Sequence, residues 1–230
     1  EVWVKVYAGA WLDSLIIRNS ILKDAGKEGI YLKEPTTINY AEFDNSTFLN
    51  VGREAIRMRD NPDAVVRMNH CTFDSISTGG DYRMVYPEGT LDVIVKNSMF
   101  TNQMGTHSDA VKIYGNSSLS YSNFWQASDV ATNDASTASD TSRFDPLYNN
   151  PSVDDYRLAD ASPARGAADD GSALGDLRWE ASPGQYYLEL LTEGNGYIQA
   201  DPAQDVYDSG TDVTLQAVPD YRWGLFEWTG

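Results

Sequence analysis

The chain has 230 residues, enough for one large domain with a hydrophobic core and a second, small one. Its net charge is −17, from 17 lysines and arginines against 34 aspartates and glutamates, so a nucleic-acid backbone would meet net repulsion. Its single cysteine, Cys71, excludes an internal disulfide framework and a zinc site of several thiolates. No apolar run reaches the roughly 18 residues of a membrane-spanning helix. We therefore expect no nucleic-acid partner, no membrane span, and Cys71 in the core.

A short pattern recurs along the first 125 residues. It returns every 25 to 27 residues, at Arg18–Leu22, Asp44–Phe48, Asn69–Phe73 and Lys96–Phe100, with a weaker echo at Tyr121–Trp125. A fixed period of this length is typical of a solenoid, in which each repeat packs on the next.

A second series runs in phase with the first, at Gly29–Leu32, Ala55–Met58, Asp81–Met84 and Ala110–Ile113. These runs are short, alternate in character and are separated by turn residues, so each repeat predicts two or three β-strands and no helix. The sequence therefore predicts an all-β fold, a coil of parallel strands in which successive rungs are hydrogen-bonded at roughly 4.8 Å.

Stacking the repeats places equivalent residues in columns. One inward column is predicted to contain Leu22, Phe48, Phe73, Phe100 and Trp125, and another Ile17, Phe43, Met68 and Val95. Asn19, Asn45 and Asn97, with His70 in their register, are predicted to form a ladder at a corner, where side-chain amides bond along the stack. This register favours a structural role for His70.

Basic and aromatic residues also fall into columns, which is unexpected in so acidic a chain. Tyr31, Arg57, Arg83 and Lys112 are predicted to project outward from one face, one per rung, with Lys33, Arg59, Val85 and Tyr114 two residues further on. Arginine forks suit carboxylates, and tyrosine rings suit sugar faces. We therefore expect this stripe, together with Tyr82 and Tyr86, to bind an acidic polysaccharide. The alternative is an ordinary solvated face of weak ion pairs.

Catalytic chemistry on the same stripe is a further hypothesis. Lyase chemistry needs a cation to neutralise a sugar carboxylate and a base to take the neighbouring proton. Candidate bases are Arg57, Arg83 and Lys112, and candidate acids are Tyr82, Tyr86 and His107. Carboxylates that could hold Ca²⁺ through hard oxygen ligands are Glu54, Asp60, Asp81 and Asp109.

The rungs resemble the right-handed parallel β-helix of pectate-lyase-like proteins, especially the helices of bacterial polysaccharide lyases. Phe144–Pro146, Asp155–Leu158 and Ser162–Ala167 are similar to the closing segment of such helices. Residues 127–142, rich in Ser, Thr, Ala, Asp and Asn, are expected to form a solvated loop before this segment. The resemblance implies a secreted or cell-surface bacterial protein and a β-helix over residues 1–180.

A second module is predicted after a boundary near residues 181–184. Tyr187–Leu190, Gly196–Ala200 and Val213–Ala217 alternate as strands. Asn195–Gly196, Tyr207–Leu215 and Phe226–Gly230 resemble part of the bacterial surface repeat called the InlB B-type repeat. Residues 185–230 are therefore expected to form a partial repeat that serves as an extracellular spacer or adhesion unit. Trp223, Phe226 and Trp228 are expected in its core rather than on a sugar-binding platform.

Two functions follow from these expectations. The first is an extracellular, non-catalytic protein that binds acidic polysaccharide along the stripe. The alternative is a polysaccharide lyase, or part of one, that cleaves uronic-acid glycans by β-elimination. The paired-glutamate calcium segment of alginate and chondroitin β-helix lyases is absent, as is the Asp-His signature of pectate lyases. These departures favour binding.

Overall fold

The computed structural model describes residues 2–7, 9–33, 37–59, 63–90, 92–180, 185–188, 190–192, 194–204 and 206–228. The chain divides into two compact units, residues 1–180 and 181–230. The predicted boundary at residues 181–184 lies outside the described residues.

The first unit is a coil of short strands. In chain order these are β1 (Val4–Val6), β2 (Trp11–Arg18), β3 (Ile21–Ala25), β4 (Ile30–Leu32), β5 (Thr37–Asp44), β6 (Thr47–Val51), β7 (Ile56–Arg59), β8 (Val65–Asn69), β9 (Thr72–Ile76), β10 (Val85–Glu88), β11 (Asp92–Lys96), β12 (Met99–Gln103), β13 (Asp109–Ile113), β14 (Ser118–Ser120), β15 (Ser122–Trp125), β16 (Asp129–Thr132), β17 (Thr137–Ala138) and β18 (Thr141–Ser142).

Every third strand joins the same sheet. Sheet A has the order β1-β4-β7-β10-β13-β16, sheet B has β2-β5-β8-β11-β14-β17, and sheet C has β3-β6-β9-β12-β15-β18. The strand pairs in these three sheets are parallel. The prediction of an all-β parallel solenoid is confirmed.

The core consists of columns of apolar side chains inside the coil. Phe48, Phe73, Phe100 and Phe124 stack nearly face to face, with ring centroids 4.8, 4.9 and 5.0 Å apart. Trp125 was predicted at the end of this column, and that prediction is wrong. Phe124 pairs with Phe100, so Trp125 pairs with Thr101 on the outer face of sheet C. Tyr121 takes the corner position of the asparagines, and Phe124 follows it by three residues as on the other rungs, whereas the prediction placed Tyr121 one residue before the corner. Because side chains alternate between faces, this offset of one residue puts Trp125 on the outer face.

A short corner joins sheet B to sheet C on each rung. Residues in the left-handed conformation occupy this corner, with φ between 45° and 51°, namely Asn19, Asn45, His70, Asn97, Tyr121 and Asp140. Asparagine tolerates this conformation because its short side chain bonds locally. Asn45 Nδ2 donates to Asn19 Oδ1 at 2.8 Å, and Asn97 Nδ2 lies 3.4 Å from His70 Nε2. The predicted ladder, with a buried His70 in its register, is confirmed.

The second series of repeats is shifted at its third member. Asp81–Met84 was predicted as a strand, but β10 begins at Val85, and Val85 pairs with Ile56 and Val111. Because the shift is three residues, the inward and outward positions exchange. Arg83 therefore precedes the strand, and Tyr86 takes the outward position that was predicted for Arg83. Val85 was predicted outward but is fully buried. The cause is a longer turn before β10, in which Tyr82 N–H bonds to Ser77 Oγ at 2.8 Å.

Residues 127–142 do not form the expected loop. They contain β16, β17 and β18, which add a short polar rung to all three sheets. Backbone pairing with the rung before is sufficient to order this segment despite its polar composition.

The closing segment runs back along sheet C. It contains the antiparallel pair β19 (Tyr148–Asn150) and β20 (Asp155–Leu158), and the 3-10 helices Pro151–Val153 and Leu177–Glu180. Tyr156 and Trp179 pack on Leu49, and Asp176 Oδ2 accepts a hydrogen bond from Thr47 Oγ1 at 2.7 Å.

The second unit has two antiparallel pairs. β21 (Gln185–Tyr187) pairs with β23 (Val206–Asp208), and β22 (Gly196–Asp201) pairs with β24 (Thr214–Pro219). Trp223, Phe226 and Trp228 are 56%, 93% and 49% exposed. The expectation that they form the core of this module is therefore wrong.

Candidate functional site

A column of alternating cations and tyrosines lies on the outer face of sheet A. Lys5 pairs with Tyr31, Tyr31 with Arg57, and Arg57 with Tyr86. The pairing of Val85 with Val111 then places Tyr86 beside Lys112. We call these five residues the cation–tyrosine ladder. Lys5 is exposed and the other four are half-buried.

Each cation of the ladder lies close to an aromatic ring. Lys5 Nζ is 5.9 Å from the centroid of Tyr31, and the Arg57 guanidinium is 5.7 Å from Tyr31 and 5.9 Å from Tyr86. Lys112 Nζ is 5.2 Å from the ring of Tyr114. These distances are within the range of cation–π attraction, which reduces the repulsion expected between stacked like charges.

Glu54 lies beneath the centre of the ladder. It is buried, and its Oε1 accepts a long hydrogen bond of 3.4 Å from Arg57 Nη1. Burial raises the pKa of Glu54 above its ordinary value, against the opposing effect of the Arg57 charge. Among the described residues, Glu54 Oε2 and Arg57 Nε are buried without a hydrogen-bond partner. Such atoms are rare in native proteins, where a buried polar atom is paired with a protein group or an ordered water.

The substitution Glu54→Gln tests this environment through the pH dependence of stability. A carboxyl whose pKa is raised on folding contributes most to stability at low pH, and this contribution is lost as the pH rises through its folded value. Glutamine resembles the protonated form and does not titrate. We therefore expect the variant to gain stability relative to the wild type between pH 4 and pH 7, measured by urea unfolding at both values. A constant difference would contradict the raised pKa.

Arg83 and Asp109 form a second charged cluster beside the ladder. Arg83 Nε donates to Asp109 Oδ2, and its guanidinium lies 4.4 Å from the centroid of Tyr86. His107 Nδ1 is 3.2 Å from Asp109 Oδ1. Burial would raise the pKa of Asp109, but the hydrogen bond and charge of Arg83 bring it below its ordinary value. Arg83 thus reaches the ladder from the preceding turn, although it is not in the column.

The predicted second column also changes at β10. Glu88, not Val85, pairs with Arg59, and their Oε2 and Nε atoms are 3.3 Å apart. Tyr114 donates its hydroxyl to Tyr86 at 3.3 Å. Burial raises the pKa of Tyr86 to about 12. Tyr86 is therefore neutral at physiological pH.

Tyr82, Lys33 and Asp81 are not part of the ladder. Tyr82 packs against Arg53, whose guanidinium is 5.2 Å from its ring, and Lys33 is exposed beyond the end of β4. Asp81 is exposed and accepts a hydrogen bond from Thr106 at 3.3 Å. Asp60 lies outside the described residues.

The calcium hypothesis remains a prediction. In the described parts of the chain, no three His, Cys, Asp or Glu side chains come together as a metal ion requires. Glu54 lies 3.4 Å from Arg57, and Asp109 accepts a hydrogen bond from Arg83. Each of these carboxylates therefore already has an arginine partner.

Two residues of this site, Lys5 and Glu88, were not identified from the sequence. Lys5 stands one period before Tyr31, so the 26-residue repeat was a sufficient signal for it. Glu88 became visible only when the register of β10 was known. Its Oε2 lies 3.9 Å from Arg57 Nη2, so it competes for the arginines of the site.

In the described residues, no helix has the length and apolar character needed to cross a bilayer. No protein-family model matches the sequence, and no curated protein matches it.

Proposed function

We propose that this chain is an extracellular β-solenoid protein that binds an acidic polysaccharide along the cation–tyrosine ladder, without cleaving it. The observation that carries this proposal is the in-register alternation of Lys5, Tyr31, Arg57, Tyr86 and Lys112 on one sheet face. The resemblance to pectate-lyase-like helices and to a bacterial surface repeat agrees with this proposal.

The geometry of the ladder suits a polymer. Successive rungs are roughly 4.8 Å apart, so cations and rings repeat along a line over which an extended chain can lie. Lysine and arginine attract carboxylates, and a tyrosine ring offers a flat apolar face to a sugar. With a net charge of −17, the rest of the surface repels a polyanion on average. Local clusters of cations such as this face are therefore where a polyanion meets attraction.

The two unpartnered atoms at the centre of the ladder support the same proposal. Arg57 Nε is a buried donor with no acceptor among the described residues. A buried donor without a partner costs about 1–3 kcal/mol. A ligand carboxylate or hydroxyl that displaced the Arg57 side chain enough to expose this donor would recover part of this cost.

The double substitution Lys5→Gln, Lys112→Gln tests the ladder at its two ends without changing the Glu54–Arg57 pair. We expect about a tenfold or greater loss of affinity, equivalent to at least ~1.4 kcal/mol, and a weaker salt dependence than that of the wild type. The measurement is affinity gel electrophoresis in pectate, alginate, chondroitin and ulvan at two salt concentrations.

Arg67→Gln is the matched control, because Arg67 is an exposed cation on the outer face of sheet B. It should change the affinity less than twofold. Equal losses in the control and the double variant would indicate a non-specific charge effect, and no retardation of the wild type in any of the four glycans would exclude the proposal.

β-Elimination is a second candidate, favoured by the buried Glu54 beside Arg57 and by the His107–Asp109–Arg83 cluster. In this reaction a base removes the proton next to the sugar carboxylate. A carbon–carbon double bond forms as the glycosidic carbon–oxygen bond breaks, and an acid returns a proton to the leaving oxygen. The unsaturated product absorbs in the near ultraviolet. A rising signal with any of the four glycans would replace the non-catalytic proposal, and a flat signal would support it.

A further inference from the structure

An open cavity of about 460 Å³ lies where β12 and β15 end and the chain turns toward sheet A. Its wall combines an indole, a guanidinium, two carboxamides and a hydroxyl, from Trp125, Arg143, Gln103, Gln126 and Ser128. This set of groups is polar and aromatic at once, unlike the apolar core of the coil. The cavity is not part of the cation–tyrosine ladder.

Trp125 reaches this cavity because of its position on sheet C. It ends the outward column that also contains Asp74 and Thr101, both of which are buried. Trp125 is only half-buried. A large aromatic ring that is accessible at the wall of a polar cavity is suited to packing against the apolar face of a sugar ring.

Arg143 supplies a cation at the same wall. Its Nη1 donates to the carbonyl of Ala127 at 2.9 Å, and its Nη2 lies 3.1 Å from Asp129 Oδ2. A guanidinium has five N–H donors, so these two contacts leave capacity for a ligand carboxylate. Arg143 and Asp129 are 50% and 62% exposed, and an exposed pair of this kind is weak and open to competition.

The cavity is connected to the cluster beside the ladder by hydrogen bonds. Gln103 Oε1 accepts from Ser128 N at 2.9 Å, while Gln103 Nε2 donates to the carbonyl of Tyr82 at 3.3 Å. Ser128 Oγ donates to the carbonyl of His107 at 2.6 Å. The wall of the cavity and the His107 loop are therefore held together.

We infer that this cavity binds one uronic-acid residue of the glycan, with its ring on Trp125 and its carboxylate on Arg143. The inference rests on the proposed function, since it assigns a second contact point to the same polymer. Asp129 competes with the sugar carboxylate for Arg143, so removal of its charge should strengthen binding.

The test is titration of the full chain with short oligosaccharides cut from pectate, alginate, chondroitin and ulvan, followed by isothermal calorimetry. For the oligosaccharide that the wild type binds, Trp125→Ala and Arg143→Gln should each reduce the affinity about five- to tenfold. Trp125→Phe, which keeps a ring, should retain most of it, and Asp129→Asn should increase it. Trp11→Ala is the matched control, because Trp11 is a 68% exposed indole on the first rung, and should leave the affinity unchanged.

The outcomes separate the two proposals. If the Trp125 and Arg143 variants bind like the wild type while the Lys5/Lys112 variant is weakened, the cavity inference is wrong and the ladder stands. If the cavity variants are weakened and the Lys5/Lys112 variant is not, the cavity is the binding site and the ladder proposal fails. If Trp125→Ala does not fold, the two variants of exposed side chains still decide the question. Arg143→Gln should lower the affinity, and Asp129→Asn should raise it.

Discussion

Replacing Phe73 by alanine should lower the free energy of unfolding of the solenoid by about 3–5 kcal/mol. The ring is fully buried between Phe48 at 4.8 Å and Phe100 at 4.9 Å. Because backbone hydrogen bonds fix the spacing of the neighbouring rungs, the column cannot collapse onto the vacated space. The expected loss of stability therefore combines the free energy of transferring the ring out of water with the free-energy cost of the cavity that is left. Urea unfolding followed by far-ultraviolet circular dichroism measures it.

Phe226→Ala is the matched control, since Phe226 is 93% exposed. It should change the stability by no more than about 0.5 kcal/mol. A loss below about 1 kcal/mol for Phe73→Ala would mean that the column relaxes, contrary to the close packing expected of a protein interior.

Asp74→Leu should destabilise the solenoid by about 3–5 kcal/mol, because the carboxylate is buried and shared by several donors. Its Oδ1 accepts from Thr101 Oγ1 at 2.5 Å and from Asn102 Nδ2 at 2.7 Å. Its Oδ2 accepts from Tyr156 OH at 2.9 Å. Leucine would leave these donors buried without an acceptor and would remove a bond that holds the closing segment on sheet C.

The conservative substitution Asp74→Asn distinguishes bonding from burial. Its Oδ1 can still accept from Thr101 and Asn102, so the loss should be smaller, at about 1–2 kcal/mol. Limited proteolysis gives a second readout, since cleavage near Tyr156 should increase in Asp74→Leu more than in Asp74→Asn. Equal losses of stability in the two variants would show that charge alone, rather than hydrogen bonding to the closing segment, determines the effect.

The repeat was sufficient to predict the fold because the geometry of each rung fixes which residues of successive rungs pair. A residue in the left-handed conformation at each corner and an aromatic three residues later fix the register of Asn45 with Phe48 and of Asn97 with Phe100. On the rung of Phe124, Tyr121 stands at the corner in place of an asparagine, so the pattern was aligned one residue too late and Trp125 was misplaced. A shift of one residue changes the face on which a side chain lies.

The site was only partly predictable for a related reason. Tyr31, Arg57 and Lys112 stand on strands whose pairing follows the period, so their alignment could be predicted. Arg83 stands in a turn whose length differs from that of its neighbours, and no periodicity fixes such a residue. The burial of Glu54, which raises its pKa, depends on how side chains of successive rungs pack together.

The corners of the coil differ in how much variation they allow. From Asn19 to Asn97, the corner between sheets B and C keeps two residues on every rung, whereas the connection from sheet C to sheet A varies, from four residues before Ile56 to eight before Val85. Mutation can therefore lengthen or shorten the second connection without disturbing the stacked core. Arg83 and His107 both lie in such connections. Under the proposed function, a change in these connections would alter the surroundings of the ladder while the strands that carry the ladder and the core keep their register.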